Sequence, residues 1–294
     1  MRAMPQDSHQ CFDAIANHGG VVLFLGRSDA GKSTRIQELV GLITGRGGSV
    51  AVLDADVGQS TYGLPTTLTL VHFSSEAKEP TPEVIARFFV GAISPVGHLL
   101  QTLVGCRRLL DRAQRLGVRA ILIDTTGLVD GPLAVEFKLQ KIDLLRPTHV
   151  LALAQGAELD PILNACLQRM DVIVYRVAIA TAARERSAAE RRVNRQEKYR
   201  EYFAEATRRQ FSLAAVAVWG RSPTLLRPEL EGQLVGLNDG HGLCLGVGRL
   251  QRVTPSEVEV RTPFESVAAV RLLRFGSVAV NAEGLERLFS PREW

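Results

Sequence analysis

The chain has 294 residues, long enough for two domains, and a formal net charge of +4. Hydrophobic residues make up 46% and charged residues 22%, a balance that supports a buried core and excludes a disordered chain. It has no run of about 18 apolar residues and no apolar signal core near its start, so neither a membrane span nor a secretory leader is expected and a cytoplasmic location is.

In chain order, residues 1–19 read as a short N-terminal segment. Residues 21–25 are continuously apolar and predict a buried parallel strand. That strand runs into Gly26-Arg27-Ser28-Asp29-Ala30-Gly31-Lys32-Ser33, the spacing of a phosphate-binding loop, and a helix is expected from Gly31 to about Thr44. Glycines let the backbone fold round phosphate oxygens, with amides pointing inward at a helix N-terminus. Lys32 is expected to reach the β- and γ-phosphates of ATP and Ser33 to ligate Mg²⁺. Gly26, Ser28, Asp29, Ala30, Gly31 and Thr34 would surround the nucleotide.

Residues 49–53 predict a second buried strand, which ends in Asp54-Ala55-Asp56-Val57-Gly58-Gln59. Carboxylates at the C-terminal end of a sheet strand lie where open α/β sheets bind ligands. One carboxylate would serve the metal and the other would accept a proton; a solvated acidic turn is the plainer alternative. A further strand is expected at 67–73, then a loop holding Pro80 and Pro82, then an amphipathic helix over 99–116. The strand 119–124 leads into Asp124-Thr125-Thr126-Gly127, so Asp124 competes with Asp54 for the metal. A helix over 133–144, a strand at 149–154, a helix near 161–168 and a strand at 172–177 complete an α/β pattern: a P-loop NTPase parallel sheet flanked by helices.

Residues 184–209 hold nine Arg or Lys and five Glu, an excess equal to that of the whole chain. They are nearly free of Gly and Pro and predict one charged helix, either phosphate-facing or simply solvated. Beyond it, short strand-like runs at 212–219, 233–237, 243–250, 257–261 and 268–280 alternate with turns, Asn238-Asp239-Gly240 being the strongest hairpin signal. They predict a small C-terminal β-rich domain. The expected division is 1–19, 20–210 and 211–294. The four cysteines are scattered, without a Cys-x-x-Cys pair, and are expected as reduced thiols.

Together these residues resemble the family of polynucleotide 5′-hydroxyl kinases that includes Clp1, Grc3 and the archaeal enzymes. That family joins a P-loop to Asp-x-Asp-x-Gly-Gln, complete here as Asp54 to Gln59, and to a Thr-x-Gly clasp, matched by Thr125-Thr126-Gly127. Its lid helix carries Arg-x-x-x-Arg, a spacing met here by Arg191 and Arg195. Phe89-Val90-Gly91 with Ser94-Pro95, Leu145-Arg146-Pro147-Thr148-His149 and Tyr199-Arg200-Glu201-Tyr202-Phe203 are also family-like. The family clasp often continues with Trp; here the position is Leu128.

The resemblance implies transfer of the ATP γ-phosphate to the 5′-hydroxyl of single-stranded RNA or DNA, and suggests a minimal, prokaryotic-type form. Lys32, Arg191 and Arg195 would neutralise the transferring phosphoryl group and Asp56 would take the hydroxyl proton. Ser33 and Asp54 would hold Mg²⁺. Gln59, Thr125, Thr126 and Gly127 would hold the acceptor. No membrane partner is expected, and the sequence names no protein partner. Three alternatives stand beside this reading. A regulatory GTPase would need a guanine-reading element, for which Gln140-Lys141-Ile142-Asp143 is the nearest match but sits inside a predicted helix. A small-molecule kinase, such as a nucleoside kinase, fits the P-loop equally, and a silent ATP-binding scaffold would not need Lys32, Ser33 and both aspartates.

Overall fold

The computed structural model describes residues 8–74, 81–179, 186–219 and 230–289. Pro80 and Arg184 therefore lie outside the described residues. The chain divides into two compact units, neither continuous in sequence: Met1–Asp56, Thr69–Ile85 and Leu99–Arg186 form the first, and Val57–Leu68, Ala86–His98 and Ser187–Trp294 the second.

The first unit opens with a helix that the sequence reading does not anticipate, α1 (Ser8–His18), followed by β1 (Gly20–Leu25), α2 (Lys32–Gly45) and β2 (Val50–Ala55). Then come β3 (Thr67–Phe73), β4 (Glu83–Phe89), α3 (Leu99–Gln114), β5 (Ala120–Thr125), α4 (Pro132–Leu145), β6 (His149–Leu153), α5 (Asp160–Cys166) and β7 (Ile173–Val177). The sheet order is β4-β3-β2-β5-β1-β6-β7. β1 lies parallel between β5 and β6, β2 is parallel to β5, and β7 to β6. β2, β5 and β6 are buried along their whole length, as continuous apolar runs with both faces covered should be. β3 runs antiparallel to β2, because the connection from 56 to 66 holds no crossover helix and only an antiparallel return can follow. Gln140 to Asp143 lie inside α4 with Lys141 fully buried, which is no place for a guanine-reading loop.

In the second unit α6 (Ala188–Tyr202) begins at a capping box: Ser187 Oγ accepts from Glu190 N, and Glu190 Oε2 accepts from Ser187 N. The helix is shorter than expected over 184–209. It ends at Tyr202, capped by Phe203, and the chain pairs instead as β8 (Thr207–Ser212), so Arg208 and Arg209 lie on a strand. The signal was Phe211, whose side chain is buried between exposed neighbours. The expected boundary at 210 thus falls inside β8.

The remaining strands are β9 (Ala217–Trp219), β10 (Gln233–Asn238), β11 (Cys244–Val253), β12 (Glu257–Thr262), β13 (Leu272–Val280) and β14 (Glu286–Leu288). They give the order β14-β13-β10-β11-β12-β8, with β9 added to β13. The turn at Asn238-Asp239-Gly240 joins β10 and β11 as an antiparallel hairpin, its Asp239 carboxylate accepting from His241 N and Leu243 N. Tyr199 of α6 is fully buried with Leu64, Phe89, Leu234 and Val278. That contact explains why α6 and the segments 57–68 and 86–98 belong with the C-terminal strands. Phe89-Val90-Gly91 has a packing role here. Gly91 has φ +82°, a Cβ on it would stand 2.6 Å from Gly276 Cα, and its carbonyl accepts from Ser277 N at 2.7 Å. Among the described residues no helix is long and apolar enough to cross a membrane.

Candidate active site

In the first unit β1 carries the chain into the phosphate-binding loop, and α2 starts at Lys32 after Gly31, which is left-handed at φ 85°. Lys32 is 6% exposed, and its ammonium folds back across the loop to donate to Gly26 O at 3.0 Å and Arg27 O at 2.8 Å. The amides and the ammonium together make a concave cationic seat at a helix N-terminus, the chemistry a polyphosphate needs. Asp29, at φ 59°, turns its carboxylate to Arg186, accepting from Arg186 N at 3.0 Å and Nε at 2.8 Å. Asp29 therefore anchors the residue just before Ser187.

Asp54 and Asp124 stand at the same register on the adjacent parallel strands β2 and β5, and both are buried. Ser33 Oγ donates to Asp124 Oδ2 at 2.6 Å, and Asp56 N donates to Asp54 Oδ1 at 3.3 Å. Burial raises the pKa of Asp124; the Lys32 charge and the Ser33 hydroxyl oppose the rise. Asp124 Oδ1 is buried without a hydrogen-bond partner, an unspent anionic acceptor beside the loop serine. Among the described residues no group of three or more His, Cys, Asp or Glu could hold a metal ion. The donor set fits Mg²⁺, which takes one or two protein oxygens and leaves its other positions to water and substrate phosphates.

The turn after β5 is held from below. Thr125 Oγ1 donates to Phe24 O at 2.7 Å and accepts from Lys138 Nζ at 2.9 Å; the same ammonium donates to Thr126 O at 2.7 Å. Thr125 and Lys138 are fully buried, so the Thr125 hydroxyl is committed to the fold. The Thr126 hydroxyl is buried and has no partner. Burial, with Lys141 and Lys32 close behind, holds the Lys138 pKa well below the usual lysine range. A Cβ on Gly127 would stand 2.2 Å from Ser28 N and Ser28 Oγ. This turn therefore touches the phosphate-binding loop itself, and only glycine fits. Beyond the C-terminal end of β6 a cavity of about 350 Å³ is lined by Gln155, Gly156, Asp160, Asn164 and Arg176.

In the second unit Gln59 packs on α6, its amide donating to Arg191 O at 3.3 Å and accepting from Asn194 Nδ2 at 3.4 Å. Arg195 forms a two-pronged ion pair with Glu286 of β14, with side chains 12% and 9% exposed.

Within the first unit the structure brings Lys32, Ser33, Asp124 and the Thr125-Thr126-Gly127 turn together, and it brings Gln59 together with the α6 turn at Arg191 in the second. Sequence reasoning missed Lys138, Arg186 and Glu286. A buried lysine looks like any helical lysine in sequence, and ion-pair partners distant in the chain leave no local pattern.

Residues 26–205 match the family model described as mRNA cleavage and polyadenylation factor CLP1 P-loop. The chain is 28% identical to a polyribonucleotide 5′-hydroxyl-kinase of Pyrococcus horikoshii, over 99% of its own length and 94% of that protein. It is 31% identical to one of Pyrococcus furiosus, over 92% and 91%. Among solved structures, a complex of wild-type Clp1p with Pcf11p matches with a TM-score of 0.67 at 14% identity, covering 92% of this chain and 77% of that one.

Proposed function

We infer that this chain, which belongs to the Clp1 P-loop family, is an ATP-dependent polynucleotide 5′-hydroxyl kinase. The observation that carries the reading is the Ser33–Asp124 pair at 2.6 Å beside the phosphate-binding loop, with Asp54 and Asp56 on the neighbouring strand end. Relatives named polyribonucleotide 5′-hydroxyl-kinases that align over nearly the whole chain support the acceptor.

In this reading the loop amides and Lys32 seat the ATP phosphates, and the cavity beyond β6 takes the nucleoside. Ser33 and Asp124 would hold Mg²⁺, which would offset charge on the phosphate oxygens. Asp54, first assigned to the metal, supports this arrangement from the next strand. Asp56 accepts the proton of the acceptor's 5′-hydroxyl as its oxygen bonds to the γ-phosphorus, and the bond to the β-phosphate oxygen breaks to release ADP. Such a loose transfer asks mainly for positioning and charge, which Lys32 and Arg191 supply. Gln59 steadies the Arg191 turn, Thr126 and Gly127 shape the acceptor side of the loop, and Arg195 supports the lid through Glu286. A single-stranded RNA or DNA 5′ end is the substrate. A cytoplasmic location is in keeping with four buried free cysteines.

The test is labelled ATP offered with 5′-hydroxyl oligonucleotides and free nucleosides in parallel. Label on the oligonucleotide 5′ end is expected; label on nucleosides alone would make the chain a small-molecule kinase.

A further inference from the structure

The second unit contains a cavity of about 420 Å³ that the chemistry above does not use. It is lined by Thr61, Tyr62, Arg87, Lys198, Glu201 and Tyr202, among others. Two aromatic rings and two cations around one recess are what single-stranded nucleic acid needs: a π-face for a base and positive charge for the backbone.

Three further observations point the same way. Thr61 and Tyr62 follow Gln59 by two and three residues, so the wall of the cavity continues the Asp54-to-Gln59 motif. Arg191, Lys198 and Tyr202 fall on one face of α6, because steps of seven and four residues return to the same side of a helix of 3.6 residues per turn. At 1.5 Å rise per residue, Tyr202 lies ~16 Å along the helix from Arg191, a path on the scale of a few nucleotides. Finally, the Arg87 side chain makes no hydrogen bond or ion pair among the described residues, although its charge acts on the Tyr202 hydroxyl. Lys198 is positioned by Ser60 O, and the Tyr202 hydroxyl accepts from Val247 N at 2.8 Å. Two elements of the wall are thus rigid before any ligand arrives, which lowers the ordering cost of binding.

We propose that this cavity seats the acceptor strand downstream of its 5′ nucleotide, one base resting on Tyr62 and Tyr202 and a phosphodiester held by Arg87 and Lys198. The proposal rests on the reading that the chain phosphorylates polynucleotide 5′ ends. It makes grip on the acceptor depend on strand length, since a nucleoside 3′-phosphate offers neither a second base nor a phosphodiester for the cavity to hold.

The test compares Arg87→Gln and Tyr62→Ala with the wild-type chain, using ATP and either a 5′-hydroxyl octanucleotide or a nucleoside 3′-phosphate as acceptor. Tyr62→Phe and Arg87→Lys serve as conservative variants, and thermal midpoints check folding. KM for the octanucleotide should rise about tenfold in each variant, with kcat, KM for ATP and KM for the short acceptor unchanged. Arg87→Gln should also reduce the salt dependence of octanucleotide binding by about one ion, and Tyr62→Phe should retain wild-type grip. Equal effects on long and short acceptors, or none on either, would overturn the proposal. Should the wild-type chain label no acceptor, binding of a fluorescent octanucleotide decides separately: weakened binding in the two variants keeps the cavity and removes the kinase reading, and unchanged binding removes the cavity.

Discussion

Arg195 of α6 and Glu286 of β14 form a nearly buried ion pair, their side chains 12% and 9% exposed. The family resemblance marks Arg195 as a lid arginine equal to Arg191, and the pair gives it structural work besides. Removing one member of a buried pair strands the other charge and costs about 3–5 kcal/mol. Arg195→Ala should therefore lower the urea midpoint markedly, and adding Glu286→Ala should restore much of the loss. Arg191→Ala should leave stability nearly unchanged and reduce turnover on the order of 10³-fold. Turnover and urea melts on the same preparations separate the two roles.

Asp124→Asn and Asp54→Asn should also differ. Ser33 donates to Asp124, whose other oxygen has no partner, so Asp124→Asn should weaken the Mg²⁺-dependent part of ATP binding most. Asp56→Asn should leave that binding near normal and slow transfer by about 10²-fold, a usual general-base contribution. Calorimetry with and without Mg²⁺, alongside single-turnover transfer, reads both effects.

Gly127 was expected to contact the acceptor. Its backbone also abuts Ser28 of the phosphate-binding loop. Gly127→Ala should accordingly weaken ATP binding at least as much as acceptor binding. A rise in acceptor KM alone would confine the role of Gly127 to the acceptor side.

Lys138 carries a pH signature. Its folded pKa lies well below the ordinary 10.5 because burial disfavours the ammonium, with Lys141 and Lys32 adding repulsion. Between those two values the unfolded chain binds more protons at this site than the folded one. Stability from Lys138 therefore rises with pH through that window and is complete above 10.5. Lys138→Met lacks this gain, so urea midpoints measured from about pH 7 to about pH 10 should diverge in favour of the wild type.

What was legible in the sequence follows from how each feature is encoded. The phosphate-binding loop, the buried strands β1, β2, β5 and β6 and the Asn238 hairpin are local patterns of apolar runs and turn residues, and each was visible. The Ser33–Asp124 bond spans 91 positions and the Arg195–Glu286 pair spans the same number; no window of sequence carries such contacts. Residues 184–209 read as one helix in sequence because charge and the absence of glycine suit both a helix and the exposed positions of an edge strand. Phe211 decides in favour of the strand only once β12 is beside it. The lysine strut from α4 to Thr125 and Thr126 was hidden for a related reason, since burial is a property of the fold.

The central claim is the identity of the acceptor group. A single-stranded oligonucleotide with hydroxyls at both ends, incubated with Mg²⁺ and γ-labelled ATP, should gain one phosphate, and mapping the labelled terminus by nuclease digestion should find it on the 5′ nucleotide. Lys32→Met should abolish the transfer. Label on the 3′ end, on free nucleosides alone, or only in released phosphate would contradict the account.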